Sequence, residues 1–180
     1  YPDDPALPSS TGEAAVRKRD YAKAMTAYSR AAQLDPKSTE LRTKVAMARM
    51  ATGDADKALH DLENIAAGDD KATQADIVLA LAHINKREWQ QAETVVARLA
   101  SKQDDSPLIG GLRAGILLGK NDVAGARKQL DMVLDKYPGF VPAAVSLARL
   151  DLQENKPEQA QKRFESLLAK EPKSLGLMMA

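Results

Sequence analysis

The amino-acid sequence predicts an all-α fold, a right-handed solenoid of five helical hairpins with partial repeats at both ends. Small and large apolar residues recur along the chain with a period of 34 residues, without insertion or deletion. Hydrophobic residues make up 44% of the 180 residues and aromatic residues only 4%. This apolar content is mostly Ala, Leu and Val, and Ala and Leu head the helix propensity scale. A fixed period in this length range indicates a repeat architecture.

The second helix of each hairpin is marked by an alanine that stands at the same position in every period. The alanine column is Ala24, Ala58, Ala92, Ala126 and Ala160. Four residues later comes a large apolar column, Tyr28, Leu62, Val96, Leu130 and Phe164, and three residues after that the column Ala31, Ile65, Leu99, Val133 and Leu167. Spacings of i, i+4 and i+7 place side chains on one face of a helix. Each second helix therefore carries one apolar stripe.

The first helix of each hairpin carries a column of small residues, where two helices can approach closely. This column is Gly12, Ala46, Ala80, Ala114 and Ala148. A polar pair separates the two helices: Arg19-Asp20, Gly53-Asp54, Arg87-Glu88, Asn121-Asp122 and Asn155-Lys156. An acidic residue in four of the five pairs suits the positive N-terminus of the helix that follows.

These patterns place the helices and the repeats. First helices are predicted near 8–18, 38–52, 72–86, 107–119 and 141–154, and second helices near 20–33, 54–67, 88–101, 122–136 and 157–170. The corresponding repeats are 5–38, 39–72, 73–106, 107–140 and 141–174, with 175–180 beginning a further repeat. We expect the chain to be a segment of a longer array. A proline-rich leader, with Pro2, Pro5 and Pro8, is the alternative interpretation of its first residues.

The columns resemble those of the tetratricopeptide repeat over essentially the whole chain. Two features depart from the family pattern. The closing proline column reads Pro2, Pro36, Asp70, Asp104, Pro138 and Pro172, and the bulky aromatic expected early in the first helix is replaced by Pro8, Arg42, Asp76, Gly110 and Ala144. The resemblance implies a protein-binding scaffold that is not an enzyme. Its partner would be a protein or peptide held in a concave groove lined by the first helices.

The family's groove columns, carried onto this chain, give a candidate partner-binding site. Its residues are Thr43, Met47, Met50, Ile77, Leu81, Ile84, Asn85, Leu108, Gly111, Gly115, Leu118, Val145, Arg149 and Leu152. Arg149 is expected to be a buried cation at one end of an apolar floor. The Lys and Asn clamp with which some relatives grip a peptide's C-terminal carboxylate does not stand at these positions. A groove rich in Met and Leu favours an amphipathic helix or a hydrophobic peptide.

Composition and motifs argue against several other functions. Cysteine is absent, and 26 basic residues nearly balance 25 acidic ones, which makes nucleic acid an unfavoured partner. The two histidines, His60 and His83, stand in different helices without a metal-binding motif. The acidic pairs Asp69-Asp70 and Asp104-Asp105 fall at turns between repeats, where solvated carboxylates do not supply acid–base catalysis. No cofactor and no metal is predicted.

The glycines of the fourth repeat are unusual and admit two interpretations. Gly111, Gly115 and Gly119 recur every four residues, with Gly110 beside them. Glycine inside a helix costs about 1 kcal/mol relative to alanine. The glycines are either a tolerated propensity defect, compensated by packing, or a place where a ligand backbone lies close to the groove floor.

The segment 141–174, with the residues from Gly115 before it, is similar to the tetratricopeptide lipoproteins of bacterial exosortase (PEP-CTERM) systems. This finer resemblance implies an exported, periplasmic protein that serves exopolysaccharide or surface-protein sorting, held at the outer membrane by a lipid anchor outside the segment. A cytoplasmic regulator or chaperone cofactor and an accessory domain of a larger enzyme remain as alternatives. No apolar run reaches the roughly 20 residues that cross a bilayer. The oligomeric state is not predicted.

Overall fold

The computed structural model describes residues 4–103 and 106–170, and over these residues the chain is helical with no strand. The first helices of the hairpins are α1 (Ala6–Arg17), α3 (Thr39–Ala51), α5 (Thr73–Asn85), α7 (Pro107–Gly119) and α9 (Val141–Gln153). The second helices are α2 (Tyr21–Leu34), α4 (Ala55–Gly68), α6 (Trp89–Lys102), α8 (Val123–Lys136) and α10 (Pro157–Lys170). Every end lies within two residues of its predicted position, so the all-α hairpin fold is confirmed. The further repeat predicted at 175–180 lies outside the described residues.

A residue in the left-handed backbone region stands two residues after the end of each first helix, and these residues recur with the sequence period. Arg19, Arg87, Asn121 and Asn155 have φ between 57° and 65°, and Gly53 has φ of 101°. This conformation costs least for glycine and is tolerated by asparagine, so the two arginines carry a backbone cost. The repeat is therefore encoded in the turns as well as in the apolar columns.

The acidic turn residues cap the second helices in some repeats only. Asp20 accepts a hydrogen bond from the backbone N–H of Lys23 at 3.1 Å, and Asp122 accepts one from that of Gly125 at 2.8 Å. Asp54 occupies the same position without a side-chain cap hydrogen bond. Glu88 instead pairs with His83, so its carboxylate does not cap α6.

The predicted columns form the core. The alanine column of the second helices is buried in all five repeats, and so are the leucines and isoleucine of the columns that follow it. The largest buried cluster runs through α3 to α7, a second lies among α7, α8 and α9, and a smaller one joins α1, α2 and α3. Each hairpin thus packs on its neighbours through one of three successive buried clusters, as a solenoid requires.

The column without its aromatic is filled differently in different repeats. In the third repeat Asp76 stands there, completely buried and paired with two cations of α6. In the fourth repeat Val133 of α8 occupies the space above Gly110, and a Cβ on Gly110 would overlap Val133 Cγ2. In the fifth repeat the small side chain of Ala144 is buried. The space that the aromatic ring would occupy is therefore filled differently in each of these three repeats.

The first helices form the inner layer of the array. Besides the contacts within and between hairpins, α3 contacts α5 and α5 contacts α7 across successive repeats. Helices that meet their counterparts in neighbouring repeats lie at the smaller radius of a curved stack. The first helices therefore line the concave side, where the sequence places the groove.

Candidate functional site

The first helices carry a set of exposed large apolar side chains drawn from every repeat. This set, called the ladder, consists of Val16, Met47, Leu81, Leu108 and Leu152, which are 36–55% exposed. Among the described residues, the other exposed large hydrophobic side chains are Leu7 on α1, which is 71% exposed, and Val123, Met132 and Leu168 on second helices. Because exposed apolar side chains occur on the first helix of all five repeats, they mark a candidate interaction surface.

Four other predicted groove residues contribute to the core as well as to the surface. Met50, Ile77 and Ile84 are half-buried and pack against the central core cluster. Leu118 packs in the same way against the cluster of repeats four and five. Val145, Gly111 and Gly115 are also half-buried, while Asn85 is exposed. The groove floor is therefore partly core, and the ladder residues are its most exposed apolar members.

One expectation about the groove residues is wrong, namely that Arg149 is buried. Thr43 stays a predicted groove residue: it is only 2% exposed and its hydroxyl donates a 2.7 Å hydrogen bond to the carbonyl oxygen of Thr39, but it lines a cavity at the start of the array. Arg149 is exposed, not buried. Its position on α9 faces the open side of the array, whereas Ala148 and Leu147 beside it face the core.

The glycines of α7 divide into two classes. A Cβ on Gly110 would overlap Val133, and one on Gly119 would overlap the Trp89 ring, so both positions require a residue without a side chain. A Cβ on Gly115 would lie 3.9 Å from Ile84 Cδ1, and one on Gly111 would lie 3.9 Å from Phe140. These are ordinary contacts. Close helix packing thus explains Gly110 and Gly119 and does not explain Gly111 and Gly115, which lie in the groove.

Three charged side chains of α1 and α3 form an ion triad near the N-terminal end of the array. The Lys44 ammonium on α3 lies 3.0 Å from a carboxylate oxygen of Glu13 on α1 and 2.8 Å from one of Glu40. The hydrogen bond to Glu40, the larger effect, and that to Glu13 raise the pKa of Lys44. The same ammonium lies 5.9 Å from the centroid of the Tyr28 ring. The positive charge of Lys44 is therefore fully compensated within the protein.

Away from the groove, the buried carboxylate of Asp76 joins three helices. Its two oxygens lie 2.6 Å from Arg98 Nε and 3.0 Å from Lys102 Nζ. Lys102 also donates to the carbonyl oxygens of Ala66 and Asp69 at the end of α4. The hydrogen bond from Arg98 lowers the pKa of Glu63 on α4. This cluster ties the second repeat to the third.

A second buried carboxylate, Asp151 on α9, plays a related role between the last two repeats. It accepts hydrogen bonds of 2.6 Å from Arg127 on α8 and from Arg163 on α10. Burial alone would raise its pKa, but these bonds outweigh burial, and the pKa of Asp151 is lowered. Glu154 shares Arg127. Neither cluster was predicted from the sequence. Asp76 and Asp151 each interrupt an apolar stripe, and such an interruption indicates a buried, paired charge.

Each of the two histidines has a local partner in the described part of the chain. His83 Nδ1 lies 2.7 Å from Glu88 at the turn after α5, and His60 Nε2 lies 3.1 Å from the Asn64 side chain on α4. No group of three potential metal ligands occurs among residues 4–103 and 106–170. Asp69 is a turn carboxylate that accepts from the Lys71 backbone N–H, and the pair Asp104-Asp105 lies outside the described residues. Within this part of the chain, no helix has the length and apolarity to span a membrane.

Family comparison supports the repeat assignment. Two family models, both described as tetratricopeptide repeat, match residues 12–83 and 117–178. Together the two matches span most of the chain. No curated protein matches the chain in sequence.

Many solved structures share this fold, and the following three are distant in sequence. A thermophilic tetratricopeptide protein of Thermus thermophilus superposes with a TM-score of 0.77 at 19% identity, over 97% of this chain and 95% of that one. A Parabacteroides merdae repeat protein gives 0.74 at 16% identity, over 92% and 64%. The MamA protein gives 0.64 at 20% identity, over 98% and 96%. At these identities the likeness shows the fold alone.

Proposed function

The chain belongs to the tetratricopeptide repeat family, and we propose that it is a non-catalytic scaffold whose concave groove binds the apolar face of a protein partner. Tetratricopeptide repeats generally mediate protein–protein interaction. The observation that carries the proposal is the ladder of exposed apolar side chains on the first helices of all five repeats. An amphipathic helix or a hydrophobic peptide laid along the groove would cover the whole ladder.

The distribution of charge supports the same surface. In α5 and α7 the groove columns carry Ile77, Leu81, Leu108 and Gly115, without a charged residue. The buried ion clusters of Asp76 and Asp151 are built instead with cations of the second helices. An uncharged floor requires little desolvation of charge when a partner covers it, so the central repeats suit an apolar ligand.

Site-specific photo-crosslinking tests the proposal. A benzophenone amino acid placed at Leu81, 47% exposed in the groove, is compared with one at Met132, 56% exposed on α8. In cells that produce the protein, the position in the groove should give a discrete crosslinked protein and the position on α8 should not. The two sites have similar exposure, so a difference reports the face that binds.

Crosslinks of equal yield from both positions, or crosslinks from Met132 alone, would place the binding surface elsewhere. The variant Leu152→Asp supplies a control on the ladder itself. Leu152 is 55% exposed, so the array should fold normally while the crosslink at position 81 weakens. Lys128→Ala on the outer helix α8, where the side chain is exposed, should leave the crosslink unchanged.

We further propose that this scaffold works in the bacterial cell envelope, within a system that exports exopolysaccharide or sorts surface proteins. The proposal rests on the resemblance of segment 141–174 to the exosortase-associated lipoproteins. Fractionation of cells that express the full-length product tests it. The expected result is recovery of the protein in the outer-membrane fraction, from which lipase treatment releases it. Recovery in the cytoplasm would contradict the envelope proposal.

A further inference from the structure

We propose that a cavity at the N-terminal end of the groove is an anchor site for one uncharged aromatic side chain of the partner. The cavity has a volume of about 610 Å³ and lies among α1, α2, α3 and the start of α5, where Gln74 lines it. Its apolar lining comes from Val16, Tyr21, Tyr28, Met47, Ala48 and Ala51, and this set is called the anchor cavity. The inference rests on the proposed groove function and assigns the kind of residue that the partner inserts.

Two of the polar groups that line the anchor cavity are paired within the protein. The Thr43 hydroxyl donates to the carbonyl oxygen of Thr39, and the Lys44 ammonium is held by Glu13 and Glu40. Burial raises the pKa of Tyr28, so its hydroxyl is neutral under ordinary conditions. The apolar part of the wall consists of rings, methyl groups and a thioether, and its polar part also includes the Gln74 amide and the tyrosine hydroxyls.

Charge decides between an uncharged occupant and an acidic one. The one cation in the lining, Lys44, faces two carboxylates, so the triad has no positive charge left for a ligand. Arg17 is exposed on α1 and does not line the cavity. A carboxylate placed in the cavity would lose hydration without gaining an uncompensated cation, and the Glu40 carboxylate in the lining would repel it. An uncharged group does not meet this penalty.

The lining favours an aromatic ring among uncharged groups. Two tyrosine rings can pack against another ring edge to face, and the Met47 sulfur adds a polarizable contact. Met47 and Val16 belong both to the cavity and to the exposed ladder, so the cavity continues the groove. Aromatic side chains that fill pockets are common energetic centres of protein interfaces. A partner that covers the ladder can therefore place one aromatic side chain in the anchor cavity.

Methionine-methyl NMR with free indole as the probe tests the cavity without a known partner. In protein labelled at methionine methyl groups, indole should shift the Met47 signal in a saturable way and leave that of Met132 on α8 in place. Indole-3-acetate carries the same ring and a carboxylate, and it should bind at least about tenfold more weakly. The variant Met47→Leu identifies the signal.

A cavity-filling variant and its matched control complete the experiment. Ala51→Trp places a ring in the cavity from an exposed position and should abolish the indole shift at Met47, whereas Ala22→Trp, at an exposed position on α2, should not. Ala51→Trp should also weaken the photo-crosslink at position 81. Equal shifts at Met47 and Met132, equal binding of the acid, or an unchanged shift in Ala51→Trp would overturn the anchor cavity. If the crosslink from position 81 persists while indole does not bind, the anchor is wrong and the groove proposal stands.

Discussion

The packed side and the groove side of the first helices differ in exposure, although both are largely apolar. On the packed side of α5 and α9, Leu79 and Leu147 are at most 1% exposed, and even the charges of Asp76 and Asp151 are buried and paired. On the groove side of the same helices, Leu81 and Leu152 are about half exposed. The comparison shows that apolar character alone does not separate core from binding surface in a solenoid. Substitutions on the two sides should therefore differ in what they disturb.

The largest effect is expected from a buried leucine of the packed side. Leu147→Ala should lower the free energy of unfolding by about 2–5 kcal/mol, because Leu147 is completely buried and its removal leaves a cavity. Urea denaturation followed by circular dichroism measures the change. A loss below about 1 kcal/mol would show that the core of repeats four and five is not packed as described.

The second largest loss of stability is expected from the buried carboxylate of Asp151 on α9. Asp151→Ala removes the acceptor that Arg127 and Arg163 share, and breaking a buried pair costs about 3 kcal/mol. Glu154 and Asp131 still pair with the two arginines, so their charges are not left alone. The same denaturation experiment measures it. A variant as stable as the wild type would show that Asp151 does not help to join the fourth and fifth repeats.

Asp151 also predicts a dependence of stability on pH. Its pKa is lower in the folded chain than its ordinary value, so its contribution is present above the ordinary carboxyl pKa and is lost as the pH falls through the folded pKa. Wild-type protein should therefore lose stability below about pH 4 more steeply than Asp151→Asn does. Parallel slopes for the two proteins across this range would contradict the prediction.

The fold was predictable from sequence because one period controls it, while the polar clusters and the cavity were not. The columns of Ala24 and Tyr28 repeat every 34 residues, so each helix is predicted several times over. The pairing of Asp151 with Arg127 and Arg163 joins the fourth repeat to the fifth through residues 24 and 12 positions away from Asp151. The interrupted apolar stripe indicates a buried charge at Asp151, but it does not identify the partners.

The candidate site was predictable in outline only. Position in a groove column does not determine exposure, since Thr43 is buried while Leu81 is open. Exposure depends on the side chains that the neighbouring helices contribute, and those differ from repeat to repeat. The anchor cavity arises in the same way, from Tyr21 and Tyr28 of α2 facing α3.

A smaller effect distinguishes two glycines of α7. Gly110→Ala should destabilise the array by about 1–3 kcal/mol, because the new methyl group overlaps Val133. Gly115→Ala should stabilise it by up to about 1 kcal/mol, since the groove leaves room and alanine favours the helix. Thermal unfolding of the two variants side by side measures the difference. Equal changes of the same sign would mean that the two sides of α7 are not distinct.

The smallest expected effect tests the central claim, that the exposed ladder belongs to the binding surface and not to the core. The measurement is the unfolding free energy of the double variant Leu81→Asp with Leu152→Asp, determined by urea denaturation. Because both side chains are about half exposed, the account predicts a loss of no more than about 1 kcal/mol, as for ordinary surface substitutions at two sites. A loss of about 3 kcal/mol or more would show that the ladder is part of the core and would contradict the groove assignment.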